Sequence, residues 1–92
     1  MTLQRATIAR ELEDRLRTIR LFDTYGGLLT LRQQRLMRLY YLGDLSLGEI
    51  SEPLRITRQA VRDSLQRAIG ELTRFEKHLR LVHRQQASGE RV

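Results

Sequence analysis

The chain has 92 residues, 40% hydrophobic and 30% charged, with no cysteine and a formal net charge of +6. These proportions suit one small helical domain with a thin core and argue against disorder, and the lack of cysteine excludes disulfides and thiolate metal sites. No apolar run approaches the roughly 18 residues of a membrane span and no secretory signal opens the chain, so the expectation is a cytoplasmic protein without membrane contact.

The charge is unevenly spread. Residues 57–92 hold eight basic residues against four acids, a net of +4, whereas the first 56 residues contribute only +2. A basic excess concentrated at one end of a small chain is the electrostatic footprint of a polyanion binder. Sixteen of the seventeen basic residues are arginine. A GC-rich genome could favour arginine over lysine, but it would not make the excess asymmetric.

The first segment, Thr2 to about Tyr25, carries Ile8, Leu12, Leu16, Ile19 and Phe22 at steps of three or four. That spacing predicts a helix with one apolar face. Gly26-Gly27 is expected to end it, with glycine taking left-handed geometry. Thr30 and Gln33 stand in capping-box spacing and open a second helix, Leu31 to Leu42, which Gly43-Asp44 terminates. Tyr40 and Tyr41 on this helix could stack on bases, although aromatic residues at helical spacing more often belong to the core.

A third helix begins at Ser46. Ser46 and Glu49 form a second capping box, with Leu45 and Ile50 placed as a hydrophobic staple. Pro53 removes a backbone hydrogen bond and crowds the preceding turn, so this helix is expected to be short or to distort near Glu52. Thr57 caps the fourth helix. Its stripe Val61, Leu65, Ala68, Leu72, Phe75, Leu79 and Val82 predicts a helix from Arg58 to Arg84, about 40 Å long. Such a helix outruns a small domain, so its distal half calls for the N-terminal helix or a second subunit as partner. Residues 1–84 then form the domain, and 85–92 a polar tail. His78 and His83, five apart, suit solvated helix positions rather than a metal site. Gly48 and Gly70 could permit close helix packing.

Residues 46–67 thus read as a helix-turn-helix, a unit that presents its second helix to a nucleic-acid groove. Val61, Leu65 and Ala68 mark the face turned inward. Arg58, Gln59, Arg62 and Gln66 lie on or beside the opposite face. Arginine offers paired donors to guanine and glutamine pairs with adenine, so these four are the base-reading candidates. Arg32, Arg35, Arg55, Thr57 and Arg67 are candidates for phosphates, which set register rather than sequence. All of the arginines could instead be ordinary solvated helix residues. Asp63 opposes phosphate unless it pairs with Arg67. No nucleophile–base pair, phosphate loop, cofactor motif or metal cluster is present, so no enzyme activity, cofactor or metal is expected.

The run LFDTYGGLLTLRQQRLMRLYYLGDLSLGEISEPLRITRQAVRDSLQRAIGELTRFEKHL, Leu21 to Leu79 within a match of roughly Leu21 to Leu81, resembles the YlxM family of small bacterial helix-turn-helix proteins. Its sharpest parts are LFD and Tyr25, LYYL at 39–42, SLGEI at 46–50 and RQAV at 58–61. The resemblance implies an all-α fold similar to region 4 of bacterial sigma factors. It also implies a regulatory role around the signal recognition particle (SRP), an association that rests on gene neighbourhood with the particle's GTPase and its receptor. The partners so implied are DNA or the particle RNA, that GTPase or receptor, and a second copy of the chain. The alternative is a DNA-binding transcriptional regulator. Against the family pattern, Pro53 replaces a helix-favouring acidic residue, Arg62 stands where an aromatic residue is common, and the stretch before Leu21 is longer.

Overall fold

The computed structural model describes residues 2–84, with side chains from residue 5 onward. It is all-α, with no strand among those residues. The elements in order are α1 (Thr2–Tyr25), a 3-10 turn (Gly26–Leu28), α2 (Leu31–Met37) continued by a π turn (Arg38–Leu42), α3 (Leu47–Leu54) and α4 (Arg58–Leu79). The tail at 85–92 lies outside the described residues.

Helices α1, α2 and α3 all pack on α4. The buried core joins Leu21, Phe22 and Tyr25 at the end of α1 to Leu36 and Met37 of α2 and Ile50 of α3. Val61, Leu65, Ala68 and Leu72 of α4 complete it at steps of four and three, so one stripe of α4 serves all three partners.

Both capping boxes are formed reciprocally. Gln33 N–H donates to Thr30 Oγ1 at 3.1 Å while Thr30 N–H donates to Gln33 Oε1 at 3.0 Å. Glu49 N–H donates to Ser46 Oγ at 3.1 Å and Ser46 N–H to Glu49 Oε1 at 2.9 Å. Thr57 caps α4 by accepting from Ala60 N–H at 3.0 Å. Each cap satisfies amides that the first turn of a helix leaves without partners.

Several expectations are corrected. The Gly26-Gly27 pair does not adopt left-handed geometry, because the described glycines all have negative φ. Gly26 is buried in the 3-10 turn beneath the Phe22 ring, where a Cβ would stand 2.9 Å from Phe22 Cε1. The left-handed residues are instead Asp44, Arg55 and Arg80. The second helix does not stay α-helical to Leu42: its last turn widens, with Gly43 N–H donating to Arg38 O at 2.7 Å. Arg15 closes that end by donating to the Tyr40 and Tyr41 carbonyls at 3.2 and 3.1 Å. Its guanidinium also faces both tyrosine rings, so these half-buried rings pack on the core and on Arg15.

α3 is short, 8 residues, as Pro53 implied, but the proline does not stop it at Glu52. The helix runs on to Leu54 and then closes with Arg55 N–H donating to Glu52 O at 3.1 Å and Ile56 N–H to Ser51 O at 3.2 Å. This is a Schellman ending with an arginine in the left-handed position glycine normally takes.

The largest correction concerns α4, which ends at Leu79 rather than Arg84. At 22 residues it is roughly 33 Å long. Arg80 turns left-handed, and residues 81–84 begin a separate helical turn. Glu76 holds this corner: its carboxylate accepts from the Tyr25 hydroxyl at 2.7 Å, from Val82 N–H at 3.1 Å and from His83 N–H at 3.2 Å. Tyr25 oxygen in turn accepts from Leu81 N–H at 3.0 Å. The turn buries Val82 in the core cluster, which a straight helix would carry away from it.

The first helix spans Thr2–Tyr25 as expected. In its N-terminal half the apolar face is formed but uncovered, with Ile8 64%, Leu12 55% and Leu16 42% exposed.

Candidate nucleic-acid interface

The turn between α3 and α4 is short because both of its ends are locally coded. Left-handed Arg55 closes α3, half-buried Ile56 anchors the link to the core, and Thr57 opens α4. The two helices are therefore fixed relative to each other within three residues, which is what a recognition helix requires of its scaffold.

On α4, the buried face is Val61, Leu65, Ala68 and Leu72, while Arg58, Gln59, Arg62, Gln66 and Arg67 are all exposed. Arg58, Arg62 and Gln66 succeed one another at i, i+4 and i+8, so they form one edge of the helix. That edge borders an open groove of about 550 Å³, lined by Ser46, Leu47 and Gly48 of the start of α3 and by Arg58, Gln59 and Arg62. The structure thus brings together three of the four base-reading candidates. Gln66 lies farther along the same edge, outside the groove lining.

Gly48 has a defined place here. The Arg58 guanidinium lies against it, so close that an added Cβ would meet Arg58 Nη2 at 3.0 Å. The absent side chain lets Arg58 lean over the first turn of α3. Gly70 does nothing comparable: an added Cβ would meet nothing within 4 Å, so the expected packing role does not hold there.

Two acids shape the electrostatics. Asp63 does not stand bare beside the arginines, since its carboxylate accepts from Gln59 Nε2 at 2.8 Å. Glu49 is held below the usual carboxylate range, first by the Ser46 backbone N–H and then by the Ser46 side chain. The start of α3 therefore already carries its own anion. An incoming phosphate would be drawn by Arg58 and Arg62 rather than by the end of α3.

The phosphate candidates divide into groups. Arg55 and Thr57 sit at the turn, and Arg67 lies on the exposed side of α4. The Thr57 oxygen is engaged with Ala60 N–H. Arg32 and Arg35 do not line the groove. They flank a separate hollow of about 340 Å³ with Leu31, Leu36 and Leu54. Sequence reasoning overlooked Leu47 and Gly48 as groove residues. The capping box beside them, which places the start of α3 in space, was the available signal. Among the described residues no group of three or more His, Asp or Glu side chains could hold a metal, and no helix is long and apolar enough to cross a membrane.

Comparison with known proteins gives a consistent result. Residues 12–90 match the profile of the family described as "UPF0122: Putative helix-turn-helix protein, YlxM / p13 like". A UPF0122 protein of Desulforamulus reducens is 58% identical over 60 residues, covering 65% of this chain and 51% of the relative. One from Thermoanaerobacter sp. is 54% identical over 66 residues, covering 72% and 56%. One from Shouchella clausii is 45% identical over 73 residues, covering 79% and 67%. The chain thus spans about half the length of the first of these relatives and two thirds of the last.

Proposed function

The chain belongs to the YlxM/p13-like helix-turn-helix family, and from that premise we propose that it is a cytoplasmic regulatory protein that binds nucleic acid in the signal recognition particle pathway. One observation carries the binding: the first three turns of α4 leave Arg58, Gln59, Arg62 and Gln66 exposed opposite a packed face. These four contact the nucleic acid most intimately, while Arg55, Thr57 and Arg67 set the register on phosphates. Arg32 and Arg35 reach phosphates only where the strand passes the second hollow. The particle RNA is the leading target, with its GTPase or receptor as protein partner. Support for that pathway is the family resemblance. Two copies joined through their first and last helices would present two such edges.

A second reading, a DNA-binding transcriptional regulator, is favoured by the same edge of α4. Duplex DNA admits a helix into its major groove, whereas the deep, narrow major groove of RNA does not. On RNA, then, Arg58 and Arg62 would act on backbone, loops or splayed bases.

Affinity for the particle RNA and for duplex DNA, measured at matched ionic strength, separates the two. The first reading expects tighter binding to the particle RNA, and preference for a DNA sequence would establish the second. In either case, replacing Arg58 and Arg62 together by Ala should reduce the slope of log affinity against log salt by about two. An unchanged slope would move the interface elsewhere.

A further inference from the structure

The described surface holds two apolar patches of opposite electrostatic character. The first is on the N-terminal half of α1. Ile8 and Leu12, with Tyr40 and Tyr41, floor a hollow of about 540 Å³ whose rim carries Glu11 and Asp14. The cation at that rim, Arg15, is already engaged with the Tyr40 and Tyr41 carbonyls and stands 3.6 Å from Asp44. The hollow therefore offers an apolar floor beneath an acidic edge.

The second patch is the corner that follows α4. Leu79 and Leu81 are 45% and 39% exposed there. Lys77, His78, Arg80 and Arg84 neighbour them along the chain, and no acid occurs between 77 and 84. Four hydrogen bonds among Tyr25, Glu76 and the amides of residues 81–83 hold the corner in shape. It is a preformed basic knuckle bearing two leucines.

We infer that the acidic apolar hollow on α1 receives the basic leucine corner of a second copy of this chain. The corner cannot fill the hollow of its own molecule. Val82 lies beside Glu13, Leu16, Arg17 and Arg20, whereas the hollow is lined by Ile8, Glu11, Leu12, Arg15 and Thr18; the two surfaces meet at Asp14 and otherwise occupy different sides of α1. Each copy carries one hollow and one corner, and where a two-fold axis relates the copies both exchanges form and the assembly closes at two. Pairing α1 with α1 of the partner is less favourable, because Glu11 and Asp14 edge the middle of the stripe and would meet their own copies. Opposite charge brings hollow and corner together and opposes the self-pairing. This deepens the paired-copy part of the function proposed above. It stands or falls separately from nucleic-acid binding, which one copy can show alone on a single site.

Sedimentation of the full chain tests it. The native chain should sediment at twice the chain mass. Reversing the rim with Glu11→Arg plus Asp14→Arg, or the corner with Lys77→Glu plus Arg84→Glu, should weaken pairing by at least about tenfold. Mixing the two reversed variants in equal amounts should restore a mixed dimer. These are exposed positions, and an unchanged helical circular dichroism spectrum confirms the fold of each variant. Leu12→Glu and Leu79→Glu should each disrupt the native pair. A native chain that stays monomeric overturns the inference. So does a mixture that fails to pair, or a dimer broken by Leu12→Glu but not by Leu79→Glu, which would identify self-pairing of α1.

Discussion

Tyr25 and Glu76 are 51 positions apart yet share a 2.7 Å hydrogen bond that decides where the chain turns after α4. Burial works to raise the Glu76 carboxyl, but the Tyr25 hydroxyl, the Val82 and His83 amides and the Arg17 charge together outweigh it. Its net position is below the ordinary value of 4.5. A carboxyl lowered by folding contributes stability that is complete above its unfolded value and is lost as pH falls through its folded value. The corner should therefore loosen as pH drops below about 4.5, and amide exchange at residues 81–83 should quicken there before it does in the middle of α4. Glu49, also lowered, should release the start of α3 over the same acid range. Tyr25→Phe keeps the ring in the core but takes the hydroxyl from Glu76 and Leu81. The thermal midpoint should fall by roughly 4–8 °C for each of the two hydrogen bonds lost, at about 1 kcal/mol apiece in a domain of this size. A midpoint unchanged by Tyr25→Phe would show that Val82 packing and the Glu76 bonds to the Val82 and His83 amides hold the corner without the hydroxyl.

At the scale of elements, what could be read from sequence was what is coded within four residues. The capping boxes at Thr30–Gln33 and Ser46–Glu49 are reciprocal local bonds and the Thr57 cap a single one, so their spacing sufficed to place three helix starts. Helix ends were harder. Arg55 and Arg80 take left-handed geometry without any glycine to announce it, because packing and the Glu76 acceptor repay the strain. The apolar stripe ran on through Leu79 and Val82 and so hid the break between them. The candidate site divides the same way. The exposed edge of α4 follows from the period of one helix, whereas the separation of Arg32 and Arg35 from the Arg58 groove depends on how α2 meets α3. Gly70 supplies the prediction for α4 itself. It sits in the helix interior, exposed, with ordinary φ and open space around it. Gly70→Ala should stabilise the protein by about 1 kcal/mol, raising the thermal midpoint by roughly 4–8 °C. A drop instead would mean that the flexibility or close approach at that point has a use the packing does not show.

For the whole molecule, the protein divides into a core that uses the second half of α1 and a projection formed by the first half. Among the described residues the buried core begins at Leu21, while Ile8, Leu12 and Leu16 face outward. Arg15 bonds α1 to the end of the second helix through the Tyr40 and Tyr41 carbonyls. The apolar stripe ahead of it therefore adds little to the folding of one copy, because its side chains are still largely in water. It was visible in sequence as an amphipathic face, but a periodicity does not say whether its partner is the same chain or another. Deleting residues 1–13, which keeps Arg15, Leu21, Phe22 and Tyr25, separates the two roles. Thermal unfolding of the dilute truncated chain should remain cooperative, with its midpoint lowered by no more than roughly 4–8 °C. Pairing of copies should be lost, because Ile8, Glu11 and Leu12 go with the deleted segment. Binding to a single nucleic-acid site should persist, since the α3–α4 edge is untouched. Unfolding that becomes broad would instead make the first half of α1 part of the folding unit, with its exposed face a by-product of that role.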